Sequence, residues 1–200
     1  MRFGILNEFA VTQQRITEVL DLVQRFSLSA SGKIVEVSTA IARAFESGNK
    51  ILICGNGGSA ADSQHFAAEF VSSFSKLIKR QGLPAIALTV DTSILTAFSN
   101  DYGFEGVFAR QVEAYGSKDD ILIVLTTSGT SKNCKMAVKK AKEIGMRTIA
   151  FTRTDGEICG EVDLSIEVPS DNTQHIQECH MIAYHIVTEL VEEKMFGGKS

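Results

Sequence analysis

Residues 50–70 read KILICGNGGSAADSQHFAAEF, and three patterns follow one another within them. KILIC (50–54) is a short apolar run of the kind found in buried strands. It breaks at GNGGSA (55–60), where glycine frees the backbone for a tight turn. From residue 59 to about 74 the spacing turns helical. Strand, glycine loop and helix in that order open a βαβ unit.

The rest of the chain repeats the alternation. AIALT (85–89), DILIVLTT (120–127) and RTIAFT (147–152) are further apolar runs, and LSIEV (164–168) is a weaker fifth. Their apolar residues are continuous rather than alternating, which suits strands covered on both faces of a parallel sheet. Helical stretches at 92–99, 104–115 and 131–144 separate them. The expected fold is α/β, a three-layer sandwich with a central five-stranded parallel sheet flanked by helices. Ahead of it, Leu6, Phe9, Ile16, Val19, Leu20, Val23 and Phe26 give an amphipathic helix to about residue 29. KIVEVSTAIARAFESG gives a second helix, ending at Gly48-Asn49-Lys50. A long helix over 172–195 closes the chain. Pro84 and Pro169 sit at element boundaries, where proline is tolerated. Residues 1–200 are expected to form one domain.

Composition bounds the function. Apolar residues make up 44% and charged residues 22% of the 200, with a formal net charge of −4. That balance carries no basic footprint for nucleic acid. The small cluster KLIKR (76–80) is expected to be a solvated face. Cys54, Cys134, Cys159 and Cys179 show no close ligand spacing, which fits a reducing cytoplasm rather than a disulfide framework. MRFGILNEFA lacks the apolar core of a signal peptide, and no run approaches the ~18 residues of a membrane span. The expected location is cytoplasmic, without membrane or nucleic-acid partners.

Two loops stand out for their small, hydroxyl-rich residues: GNGGSA (55–60) and TTSGTS (126–131). In an open α/β sheet ligands bind at the carboxyl ends of strands, where helix N-termini offer free N–H groups to anions. One such loop alone is often only a turn; two suggest a phosphorylated ligand. GNGGSA loosely fits a dinucleotide fingerprint, but the acidic residue that fingerprint needs after the next strand comes only at Asp91, far too late. His65 and Glu69, at i and i+4, share a helix face just past the glycine loop. An i, i+4 pair is often a surface pair, although its setting QHFAAEFV is apolar and small. On the last helix His175, His180 and His185 recur every five residues, a rotation of ~140° per step. They do not share one face, and at least one is expected to be a bystander. Gln177, Met181 and His185 do fall along one line.

Four ordered segments, GNGGSAADSQHFAAEF, PAIALTVDTSILTAFSNDYGFEGVFARQVEAYG, TTSGTSKN and IQECHMIAYHI, resemble the phosphoheptose isomerases of the sugar-isomerase (SIS) domain group over residues 50–195. The resemblance implies an aldose–ketose isomerase acting on sedoheptulose 7-phosphate through an enediol, for heptose and surface-glycan (lipopolysaccharide) biosynthesis. It also implies a homotetramer with active sites where subunits meet and the N-terminal helix at the interface. By the same resemblance one Zn2+ per subunit is held by His65, Glu69, Gln177 and His185. Gln177 and His185 lie ~12 Å apart along a straight helix, so both side chains would have to lean toward a shared centre. Glu69 is implied as the base and His185 as acid/base. Substrate contacts fall to Asn56, Gly57, Gly58, Ser59, Glu69, Asn100, Asp101, Thr126, Thr127, Ser128, Ser131 and Gln177, with the hydroxyl loop taking the phosphate.

The chemistry fits independently: isomerisation needs a base for the carbon-bound proton and an acid to move protons between oxygens. Thr126 and Thr130 stand where many relatives carry Ser and Asn, and Ser73 and His175 where many carry Arg. These departures bear on substrate affinity and sugar length. The alternatives are an isomerase for another phosphosugar and a non-catalytic SIS scaffold of the kind that binds a replication initiator.

Overall fold

A computed structural model describes residues 7–197. Its strands are β1 (Ile51–Gly55), β2 (Ala85–Ala87), β3 (Ile121–Thr126), β4 (Arg147–Arg153) and β5 (Leu164–Val168). They form one sheet in the order β2-β1-β3-β4-β5, every adjacent pair parallel. The helices are α1 (Glu8–Glu46), α2 (Gly58–Val71), α3 (Thr92–Tyr102), α4 (Val107–Tyr115), α5 (Lys132–Ile144) and α6 (Thr173–Phe196).

Successive side chains of a strand point to opposite faces, so continuous apolar strands feed two cores. Ile51, Ile53, Ile121, Ile123, Ile149 and Phe151 pack with α1, α2 and α6. Leu52, Cys54, Leu122, Val124 and Ala150 pack with α4 and α5 on the other face. The expected three-layer sandwich is thus present. Lys50 fixes the entry of its two central strands: its Nζ lies 2.6 Å from Asp120 Oδ2 and its N–H donates to Asp120 Oδ1.

Two expectations are corrected. The two N-terminal helices are one, of 39 residues, running straight through Gly32. A glycine inside a helix costs about 1 kcal/mol, but Phe26, Ala30, Ile34, Val37 and Ile41 bury one unbroken stripe across it, and that burial outweighs the cost. The second strand ends at Ala87 rather than residue 89. After Leu88 donates to Ile53 the chain leaves the ladder: Thr89 Oγ1 donates to Ala60 and the Thr89 carbonyl accepts from Gln64, both on α2.

The strand order reverses direction between β1 and β3. Ligands of open α/β sheets bind at such a switch point, outside the carboxyl ends of the strands. β1 ends at the glycine loop and β3 at the hydroxyl loop, so the two loops singled out in the sequence are neighbours.

His180 is the histidine taken up by the core. It is fully buried on α6, with Nε2 3.5 Å from the Thr152 carbonyl and Nδ1 unpartnered among the described residues. Burial lowers its pKa from 6.5 to about 4. The unfolded chain therefore binds the proton first as pH falls, and stability is lost through the window from 6.5 down to about 4. The full shift is worth about 3 kcal/mol. Urea melts between pH 7 and pH 4 should show this loss in the wild type and a smaller one in His180→Gln.

Candidate active site

The glycine and hydroxyl loops are built for close approach. At Gly58 a Cβ would run into the Gln177 amide of α6, with Oε1 2.8 Å away. Gly129 adopts φ +70° and packs against Gly156, which no side chain would allow. Asn56 and Asn133 exchange two amide hydrogen bonds, of 2.9 and 2.8 Å, and so tie the glycine loop to the first turn of α5. Thr126 Oγ1 lies 3.1 Å from Ser131 Oγ and 3.4 Å from Ser128 Oγ, and it accepts from the Gly129 N–H. Ser128 Oγ accepts from Thr130. Thr127 is half-buried beside them.

The helices that follow these loops start without a side-chain cap. Asn7, Asp91 and Asn172 cap α1, α3 and α6, but Gly57 and Ser131 make no such bond at α2 and α5. At α2 the Ala60 N–H is taken by the Gly57 carbonyl, and at α5 the Cys134 N–H by Asn133 Oδ1. Among the described residues the N–H groups of Gly58 and Ser59 and of Lys132 and Asn133 are left for another acceptor, and an anion is the acceptor that the helix dipole favours.

Seven residues, ~10 Å of helix, separate Gly58 from His65. There α2 and α6 bring His65, Glu69 and His185 together, with one ligand atom of each lying within 4.8 Å of the others. His65 Nε2 is 3.0 Å from Glu69 Oε1 and 3.5 Å from His185 Nε2. Donors on a tetrahedron around zinc stand about 3.3 Å apart, given metal–ligand lengths near 2.0–2.1 Å. Two imidazole nitrogens and a carboxylate oxygen at these separations fit a divalent ion such as zinc. Burial, then the neighbouring His65, lowers the His185 pKa below its ordinary value, against the opposing pull of Glu69.

The other sequence-selected residues are placed as follows. Gln177 packs on Gly58 and lines a cleft with Asp62 and Met181. Ser59 is buried in the first turn of α2. Asn100 donates to Asp101 at the exposed end of α3, and among the described residues no hydrogen bond joins either to the loops or to His65. Ser73 is exposed just past α2. His175 sits in the first turn of α6 beside Glu18 and Arg25 of α1.

KLIKR is not a solvated face throughout, because Arg80 within it is an internal ion pair. Its side chain is 0% exposed and its Nε lies 2.6 Å from Oε1 of Glu192, itself 1% exposed. Arg80 also donates to the carbonyls of Glu69 and Phe70, capping the end of α2. Glu192 accepts from the N–H groups of Phe74 and Ser75. A single arginine among lysines is no sequence signal for this, and neither is a glutamate in an acidic helix end. Tyr184 likewise has no sequence spacing that ties it to His65. Its hydroxyl lies 2.9 Å from His65 Nδ1. Asp62 stands beside the same hydroxyl; burial raises its pKa above the ordinary carboxylate value, against the opposing pull of His65 and Tyr184.

The chain is similar to known proteins over most of its length. The family model described as SIS domain matches residues 15–153. A phosphoheptose isomerase from Clostridium acetobutylicum is 52% identical over 167 residues, 83% of either chain. One from Aliarcobacter butzleri is 44% identical over 196 residues, 98% of this chain and 99% of its own. The structure of a phosphoheptose isomerase from Francisella tularensis matches with a TM-score of 0.90 at 34% identity, over 94% of this chain and 100% of its own.

Proposed function

Because the chain belongs to the phosphoheptose isomerases of the SIS-domain family, we propose that it converts sedoheptulose 7-phosphate to D-glycero-D-manno-heptose 7-phosphate. The observation that carries the proposal is the convergence of His65, Glu69 and His185 one short helix away from two uncapped, hydroxyl-bearing loops. The loops suit a phosphate; the cluster suits proton transfer.

In this reading the phosphate lies against Ser128, Ser131 and the free N–H groups of α5, and Asn56, Gly57, Gly58 and Gln177 line the sugar. Glu69 Oε1 is engaged by His65, while Oε2 accepts no hydrogen bond among the described residues. Oε2 takes the proton from C1 of the ketose and returns it to C2. His185, through Nδ1, moves the second proton from O1 to O2, which completes the enediol route. His65, Glu69 and His185 would hold zinc, with Gln177 swinging in from Gly58. Bound zinc would stabilise the negative charge that develops on the substrate oxygens.

A homotetramer in the cytoplasm completes the reading. Phe9, Ile16, Leu20 and Leu28 of α1 are 56–84% exposed, a large apolar face that a second copy of the chain would cover. No described helix is long and apolar enough to cross a membrane. The test of substrate is turnover of sedoheptulose 7-phosphate beside a hexose and a pentose ketose phosphate. Heptose should be preferred. Preference for a shorter sugar would instead assign the departures at Ser73 and His175 to substrate choice, and inertness toward all three would favour the scaffold.

A further inference from the structure

His65 is held from behind by two groups that the proposed reaction does not use. Tyr184 is fully buried and stacks on Phe66, with ring centroids 5.1 Å apart. Its hydroxyl lies 2.9 Å from His65 Nδ1. Asp62, three residues before His65 on α2 and 8% exposed, neighbours the same hydroxyl, whose one hydrogen bond among the described residues is to His65. The order of groups is therefore Asp62 carboxylate, Tyr184 hydroxyl, His65 ring, and then the point where Glu69 and His185 converge.

A phenol has one proton to give, a neutral imidazole has one N–H, and an ionised carboxylate only accepts. Two arrangements follow. If Tyr184 donates to His65 Nδ1, the ring proton sits on Nε2 and faces Glu69 Oε1, 3.0 Å away, so Nε2 offers no lone pair. If Tyr184 donates to Asp62, its oxygen accepts from Nδ1–H and leaves the Nε2 lone pair bare toward Glu69 and His185. Glu69 favours the first arrangement and Asp62 the second. Only the second can bind a metal ion through Nε2. Histidine ligands in general have their other N–H fixed in this way.

We infer that Asp62 and Tyr184 are positioning residues that hold His65 with its proton on Nδ1 and its Nε2 lone pair toward Glu69 and His185. The inference rests on the proposed metal-binding role of that cluster. Tyr184 touches neither substrate nor ion, and Asp62, which lines the cleft beside Gln177, acts on the ion only through Tyr184 and the His65 ring.

The test is zinc affinity, read by competition with a chromophoric chelator on the full-length protein, with thermal melts of the zinc-free forms beside it. Tyr184→Phe keeps the ring on Phe66 and removes only the hydroxyl. It should bind zinc 10–100-fold more weakly. Asp62→Asn should weaken binding by a smaller factor. The double variant should be no worse than Tyr184→Phe alone, since the two act in series; a packing defect would instead add. Affinity within twofold of wild type for Tyr184→Phe overturns the inference, as does full additivity in the double variant. Wild type that takes up no zinc, or a His65→Ala variant that binds it as well as wild type, overturns the metal reading itself, and with it this inference.

Discussion

Glu69→Gln is expected to turn over sedoheptulose 7-phosphate about 10²–10⁴-fold more slowly than wild type at saturating zinc. The amide keeps the size of the side chain and an oxygen for His65, but it cannot accept a proton from carbon. Glu69 sits on the last turn of α2 and is only half-buried, so melting should shift by no more than the ~0.5 kcal/mol usual for such sites. Steady-state kinetics with measured zinc content would separate the two roles proposed for this residue. A loss confined to kcat at full zinc occupancy marks the base. Activity within threefold of wild type would remove Glu69 from that role.

The second large effect is on stability. Arg80→Ala should cost about 3–5 kcal/mol, because it leaves the Glu192 carboxylate buried with only two N–H donors. At this chain length that lowers the melting temperature by roughly 6–20 °C. The pair joins the end of α2 to α6, the two helices that carry His65, Glu69 and His185. Arg80→Lys keeps the charge but not the planar fork that spans Glu192 and the Glu69 and Phe70 carbonyls, and should fall between. Arg80→Met with Glu192→Leu should recover most of the loss, since no uncompensated charge then remains. A single variant that melts within 2 °C of wild type would show that the pair does not brace the helices.

The sheet was legible because its signal is local. Five short apolar runs separated by helical spacing leave few topologies open once crossovers are right-handed. The continuity of α1 through Gly32 was not legible in the same way. Glycine is a break signal only until tertiary burial is counted, and the stripe from Phe26 to Ile41 becomes visible as a stripe only against α6 and β5.

The site divides along the same line. Loops and the His65–Glu69 spacing are sequence-near, so they could be read. His185 required the family resemblance, because 120 residues separate it from His65. Arg80 and Glu192 carry no motif at all, and Tyr184, although inside IQECHMIAYHI, has no spacing that links it to His65. Their meaning lies in what faces them across the α2–α6 contact, and a linear pattern does not encode that. The three-histidine series shows the converse: even spacing drew attention to His180, which the fold spends on the core.

The most direct measurement is NMR of sedoheptulose 7-phosphate incubated with the zinc-loaded protein, and with the same protein stripped by a chelator. Appearance of D-glycero-D-manno-heptose 7-phosphate with zinc, its loss on stripping and its return on adding zinc back are the expected results. An unchanged ketose spectrum from folded, zinc-loaded protein would contradict the proposed reaction.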